Sequence, residues 1–339
     1  MSQPFPSDQD TSQSTNQASR LWTAAPRAAL FISADHAALL AAAVAQAWLM
    51  VFLALGVEAP AHRNPALESL GLPLSLLASA GAALGLAGFA VALHDVLDRR
   101  HDRVVATSDK VRPVASGQVA PRAAAAAGIY ALLGGLLAAG FLGPASLRVA
   151  LAVAAGILFY NFAGRFIPSI AVLLPALLHA LAMGVPNPKA AFLWPLVLTF
   201  THVAVAQWWI WRRGRGIQGK PGIHLPAVGM GWGFWCLLLL FIADRRSNLA
   251  SSTASAIVGP TGGALVGPSV ALAVFVIVAL RLPQGSARSL RPLANAWLVL
   301  YAGLWLLACN QMLGVLAMAP LLIVAAAAAA LNRRTQSPL

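Results

Sequence analysis

The sequence predicts an all-α membrane protein, a polytopic bundle of nine or ten transmembrane helices. Three observations lead there. Of 339 residues, 59% are apolar and only 10% charged, against about 25% charged in a soluble domain. Mean hydropathy is +0.75. Apolar stretches long enough to cross ~30 Å of hydrocarbon recur along the chain. These stretches lack the alternation of barrel strands, and a helix satisfies its own backbone in lipid. The composition excludes a disordered chain, a collagen, a disulfide miniprotein and an ordinary soluble enzyme. Cys236 and Cys309 both lie in apolar runs, which excludes a disulfide framework and a Cys-based zinc site.

Residues 1–19 are rich in Ser, Gln, Thr, Asp and Pro and read as a disordered tail. No short apolar core follows a basic start, so no signal peptide is expected. Residues 20–36 mix Arg with apolar residues and read as an interfacial helix or a loop. The spans fall near 37–57, 70–93, 123–143, 146–163, 168–185, 190–211, 225–243, 263–281, 293–310 and 312–331. The last two form one apolar run. A break near Asn310, Gln311 and Gly314 makes ten spans, and a single tilted helix makes nine. The membrane domain is thus 37–331, with 332–339 as a cytoplasmic tail. With ten spans and the N-terminus in the cytoplasm, 18 of the 23 Lys and Arg residues lie inside and 5 outside, as the positive-inside rule requires. The expected location is a cytoplasmic or inner membrane. The basic charge is spread over cytoplasmic loops, which points to topology and contact with anionic membrane lipid and not to nucleic acid. Trp208, Trp209, Trp211, Trp232 and Trp235 flank one of these loops and read as interfacial anchors.

Acid is scarce and clustered. Four of the ten acidic residues, Asp95, Asp98, Asp102 and Asp109, fall between 95 and 109, and only Asp244 follows them. On a helix, Asp95, Asp98 and Asp102 lie at about 0°, 300° and 340° and share one face. Three co-facial carboxylates repel one another unless a cation sits among them. Mg²⁺ takes a few carboxylates plus phosphate oxygens, so one reading is a Mg²⁺–diphosphate clamp at the membrane surface. The other is a solvated helix end whose acids pair with Arg99, Arg100 and Arg103.

The stretch after the acids is Lys110-Val111-Arg112-Pro113-Val114-Ala115-Ser116-Gly117. Together with Asp95, Asp98 and Asp102 it resembles the first signature of the UbiA family of intramembrane prenyltransferases, with His94 where that family usually has Asn. Tyr160 and Arg165 resemble the family's Tyr and basic residue after the fourth span. Gly222-Ile223-His224-Leu225-Pro226 resembles the opening of its seventh. The resemblance runs from about 37 to 331. It implies a bundle around a central cavity open to lipid, with the active site on the cytoplasmic side. It implies Mg²⁺ on Asp95, Asp98 and Asp102, which are the expected catalytic and metal-binding residues. It implies an isoprenoid diphosphate as donor and an aromatic or other lipophilic acceptor. Lys110, Arg112, Tyr160, Arg165, Arg212, Arg215 and Lys220 are the expected diphosphate contacts.

One part of the family pattern is missing. Its second aspartate cluster would fall at Gln207, Gly214 and Gln218, and residues 207–220 contain no carboxylate. Arg212, Arg213, Arg215 and Lys220 replace a second metal in one reading, since guanidinium groups bind phosphate bidentately. In a second, ionisation chemistry is lost and the protein binds or transports an isoprenoid or another lipid without turnover. In a third, these are positive-inside charges alone. His179 and His202 lie in spans, where a buried, hydrogen-bonded ring is the ordinary role. Gln207 and Asn161 are expected to hydrogen-bond between helices.

Overall fold

The computed structural model describes residues 34–105, 113–214, 225–248, 264–281 and 287–334. Among the described residues there is no strand. Ten α-helices follow one another among these described residues: α1 (Ala34–Gly56), α2 (Pro65–Val105), α3 (Pro121–Phe141), α4 (Pro144–Phe162), α5 (Pro168–Met183), α6 (Trp194–Gly214), α7 (Leu225–Asn248), α8 (Val266–Arg281), α9 (Ala287–Ala308) and α10 (Met312–Arg334). Short 3₁₀ turns sit at Pro60–His62 and Gly164–Phe166. Each helix lies on one of the ten apolar stretches. Seven of them, α1 to α4, α7, α9 and α10, are long and apolar enough to cross a membrane. Helices α5 and α8 are apolar but only 16 residues long. The protein is an integral membrane helical bundle.

Local chemistry sets the boundaries. Four helices open on a proline, Pro65, Pro121, Pro144 and Pro168, where the missing N–H loses no bond. The terminal apolar run breaks in two because Asn310 takes a left-handed conformation with φ 58°, which Asn tolerates better than most side chains. The tail (1–19) and residues 20–33 of the expected interfacial segment lie outside the described residues. Residues 34–36 belong to α1, and α10 runs to Arg334, inside the stretch expected to be tail.

Helix α1 is the post of the bundle. It packs against α2, α5, α9 and α10, and 72% of its span is buried, against 11% for α7. Ala38, Ala41, Ala42, Ala45, Ala47 and Ala54 are all buried on it, and small residues let helices approach without displacing side chains. Gln46 adds direction: its Nε2 donates to the Leu298 carbonyl of α9 at 2.7 Å, and its Oε1 accepts from Thr199 Oγ1 of α6 at 3.0 Å. His202 fills the ordinary role expected of it. It is fully buried, with Nδ1 3.2 Å from the Tyr301 hydroxyl and Nε2 3.0 Å from the Ala294 carbonyl.

Helix α2 is long because it does more than span. Gly71, at φ 71° and ψ 169°, breaks it near its start. The 34 residues that follow rise ~50 Å, more than a ~30 Å core needs. Its far end therefore carries Asp95 and Asp98 to the membrane border. Against α3 it packs backbone to backbone where Gly85 meets Gly135; a Cβ on Gly85 would overlap the Gly135 backbone and the Ala131 carbonyl.

The opposite end of the bundle is clasped by polar groups. The buried Glu58 carboxylate accepts the Ala191 and Phe192 N–H groups at 3.1 and 2.9 Å. Asn64 Nδ2 donates to the Leu142 and Pro186 carbonyls at 2.7 and 2.9 Å, and Arg246 donates to the Ala190 carbonyl at 2.5 Å. Burial pushes the Glu58 carboxyl above its ordinary value, against the opposing pull of those two N–H groups and of Arg246 and Arg63.

Two outcomes follow from this packing. Gly85→Ala lowers the melting temperature in detergent, by about 1–3 kcal/mol of stability, while Gly134→Ala, where a Cβ meets nothing within 4 Å, does not. The folded protein holds the Glu58 proton more tightly than the unfolded chain. That contribution to stability is complete below the ordinary carboxyl range and is lost as pH rises through the folded value. Melting temperature against pH should therefore fall for wild type relative to Glu58→Gln as pH climbs from 4 to 7, and the opposite trend would contradict it.

Candidate functional site

Three elements converge at the acid end of α2. One helical turn apart on that helix stand Asp95, which is buried, and Asp98, with 18% of its side chain exposed. Helix α1 runs antiparallel to α2, so its first turn reaches the same level. His36 Nε2 lies 4.0 Å from Asp95 Oδ2. On α2 itself, His94 Nδ1 lies 3.5 Å from Asp98 Oδ2. The third element is the 3₁₀ turn Gly164–Phe166 after α4, where Arg165, 67 residues away in sequence, donates from a terminal guanidinium nitrogen to Asp98 Oδ1. Tyr160 at the end of α4 lies within the fields of Arg291, Arg165 and Asp98.

The reading in which the acids pair with their own neighbouring arginines is not what Asp98 does: its arginine comes from another element. The Arg165 guanidinium is held from one side by the Phe166 ring, 5.0 Å from its centroid. Its Nε is buried and has no hydrogen-bond partner among the described residues. Asn161, one residue from Tyr160, is also buried. Its Nδ2 donates to the Ile157 carbonyl of its own helix at 2.9 Å, and its Oδ1 has no partner among the described residues. This differs from the helix–helix bond expected of it, because Asn161 sits in the last turn of α4, where the i−4 carbonyl is in reach.

The signature after the acids folds as a tight turn. Ser116 Oγ donates to the Pro113 carbonyl at 3.0 Å, and Val119 N donates to the same carbonyl at 3.0 Å. Gly117 takes φ 81°, a conformation that costs a Cβ-bearing residue energy. Val114 and Ala115 are buried beneath the turn. Ser116 and Gly117 thus have structural reasons to be what they are.

Of the other expected site residues, Lys110, Arg112, Arg215, Gln218 and Lys220 lie outside the described residues, as does the side chain of Asp102. Gly214 ends α6, and Gln207 lies one helical turn behind Trp211. Arg212 is exposed, with its guanidinium over Trp208 and Trp209 at 5.6 and 5.7 Å. That cation–π arrangement joins it to the indole belt and not to Asp95 or Asp98. Trp209 in turn donates to the Ala279 carbonyl of α8 at 2.8 Å, so this residue packs helices as well as marking an interface.

His36 and Arg291 are additions that the sequence did not single out. His36 had a topological signal, since the first residues of α1 must face the last turns of an antiparallel α2. Arg291 had none beyond its count among inside charges. Two apolar hollows of about 320 and 510 Å³ lie elsewhere, one between α6 and α7 beside Trp194 and Phe241, the other between α9 and α10 beside Trp297 and Leu322.

Among the described residues no three His, Cys, Asp or Glu side chains gather as a metal-ligand set. Asp95 and Asp98 alone offer hard oxygen donors one turn apart. Mg²⁺ fits such a pair, because it uses one or two carboxylates and fills its octahedron with water and phosphate oxygens. A buried Arg165 Nε lacking an acceptor fits an oxyanion beside them.

No family model matches the chain, and no curated protein matches it by sequence. Among solved structures it is similar to a digeranylgeranylglyceryl phosphate synthase, with a TM-score of 0.48 and 14% identity over 81% of this chain and 96% of that one. It is also similar to a UbiA homologue from Archaeoglobus fulgidus, solved with DMAPP and Mg²⁺ and with GPP and Mg²⁺. The TM-scores are 0.39 and 0.41 at 18% and 16% identity, over 90% and 88% of this chain and 100% and 98% of those chains.

Proposed function

We propose that the protein is a membrane prenyltransferase of the UbiA type, which moves an isoprenoid group from an isoprenoid diphosphate to an aromatic or other lipophilic acceptor. The observation that carries this reading is the meeting of Arg165 with Asp98 one turn from a buried Asp95. A cation with an unspent N–H beside two carboxylates at the end of an apolar bundle suits one kind of ligand: a lipid with an anionic, metal-binding head. Supporting it is the turn at Pro113–Gly117, which follows the acids as the resembled signature requires.

Asp95 and Asp98, with Asp102 further along the same helix, hold Mg²⁺ in this reading. Bound there, Mg²⁺ neutralises the diphosphate and makes it a better leaving group. Arg165 donates to a diphosphate oxygen, and Lys110, Arg112, Arg215 and Lys220 are the further contacts that the resemblance implies. Tyr160 borders the same charges from the end of α4. The apolar bundle keeps water from the allylic cation formed when the diphosphate departs, and the acceptor's electron pair closes the new bond. The acid end faces the cytoplasm, in agreement with the 18 to 5 distribution of basic residues.

Incubation of the full chain in detergent with Mg²⁺ and labelled isoprenoid diphosphates of several lengths tests this directly. Wild type releases pyrophosphate and transfers label to an aromatic acceptor. Asp95→Ala and Asp98→Ala each lower release by roughly 100-fold or more, beyond the ~10–100-fold typical of a residue that merely supports a ligand. If wild type binds the donors but releases no pyrophosphate at any chain length, the protein is instead a non-catalytic isoprenoid carrier on this scaffold.

A further inference from the structure

We infer that Arg165 is a bridge: its guanidinium holds Asp98 and a diphosphate oxygen at the same time, so that one divalent cation per diphosphate suffices. The inference rests on the diphosphate reading above and adds to it a geometry and a stoichiometry.

Three observations converge on it. First, Arg165 spends one terminal N–H on Asp98 Oδ1, while its Nε is buried and has no partner among the described residues. A guanidinium presents its five N–H groups as a rigid planar fork. One edge can therefore stay on a carboxylate while another meets a phosphate oxygen, which is the bridging task a metal ion performs. Second, the fork is fixed in place. Phe166 lies against it at 5.0 Å, and the turn Gly164–Phe166 closes through Phe166 N donating to the Ala163 carbonyl at 3.1 Å and Ile167 N donating to the Gly164 carbonyl at 3.2 Å. Third, the stretch 207–220, where the resembled pattern would hold a second cation, contains no carboxylate. After Asp109 the chain has one acid, Asp244, and it lies near the end of α7 remote from Leu225. Glu58 and Glu68 belong to the opposite end of the bundle. A diphosphate carries more negative charge than one divalent cation cancels, so the remainder must meet fixed cations. Arg165 supplies one such cation beside Asp98, with Arg291 in range of the same Tyr160.

The bridge differs from a simple contact in what it predicts. Asp98 and Arg165 act as one unit, so removing either removes the same link. A lysine keeps the charge but has no fork to hold two partners along two directions.

Inorganic pyrophosphate and Mn²⁺ serve as probes of the full chain in detergent, with bound Mn²⁺ read by electron paramagnetic resonance and pyrophosphate by calorimetry. Wild type should hold one Mn²⁺ per pyrophosphate. Arg165→Gln should weaken pyrophosphate about 10- to 100-fold, and Arg165→Lys should recover less than half of that loss. The double variant Asp98→Asn with Arg165→Gln should bind no more weakly than the worse single variant, as coupled residues do. Melting curves for Asp98→Asn, Arg165→Gln, Arg165→Lys and the double variant identify any loss that comes from unfolding, and Arg165→Lys retains the charge that Asp98 needs to stay paired. Two Mn²⁺ per pyrophosphate, an Arg165→Gln protein that binds as wild type does, or strictly additive losses would each overturn the bridge and leave the transferase reading intact. If wild type binds no pyrophosphate with Mn²⁺ at all, the diphosphate reading and the bridge fail together.

Discussion

An ionised carboxylate at the edge of a hydrocarbon layer has to find a cation or lose its charge, and Asp98 finds Arg165. The pair joins α2 to the turn behind α4 across 67 residues, and both side chains are largely withdrawn from water. Much of the fold serves this junction. Helix α2 extends past the membrane thickness to bring the acids to the border. The 3₁₀ turn Gly164–Phe166 after α4 sets Arg165 against Asp98 of α2. Breaking a pair withdrawn this far would leave a charge with little solvent to take over its partner's role. The junction is therefore structural before it is chemical.

The same constraint shapes the interior. In lipid there is little hydrophobic drive between helices, and association depends on close packing and hydrogen bonds. Helix α1 uses both: an alanine-rich surface for approach, and Gln46 to fix which neighbours approach and at what height. His202 and Tyr301 do the same between α6 and α9. These groups are satisfied within the bundle, and that explains why a buried histidine here reads as packing and not as a reaction centre. Four neighbours meeting on one small-residue helix also place the start of α1, with His36, beside the acids of α2.

The ten helices were legible because hydropathy, proline and glycine mark their limits locally. Even the division of the last apolar run was signalled by Asn310, a residue that accepts the left-handed turn found there. Asp95 and Asp98 were legible because acid is rare in this chain and helical periodicity puts them on one face. What lay beyond the sequence was partnership. The Glu58 clasp depends on backbone N–H groups more than 130 residues away, and a backbone group carries no residue signature. Arg291 looked like any other inside charge. Arg212 looked like a phosphate ligand by type and neighbourhood, yet two indoles beside it on the same helix hold its guanidinium. Competition of that kind is decided by rotamer and distance, neither of which a residue string contains.

The two ends of the bundle show how similar chemistry serves different ends. Glu58 and Asp98 are both carboxylates drawn out of water, and both join distant segments. Glu58 is met by main-chain N–H groups of Ala191 and Phe192, which cannot leave without unmaking the chain path around them. Its clasp is permanent, and its titration bears on stability. Asp98 is met by side chains, His94 and Arg165, which can exchange or share a partner by changing a rotamer. Asp95 likewise faces the His36 side chain. A carboxylate held by exchangeable partners can admit a cation or an oxyanion with modest rearrangement; one held by backbone cannot. By that criterion the proposed chemistry belongs to the end that carries Asp95, Asp98 and Arg165, and the buried acid at the other end belongs to its architecture.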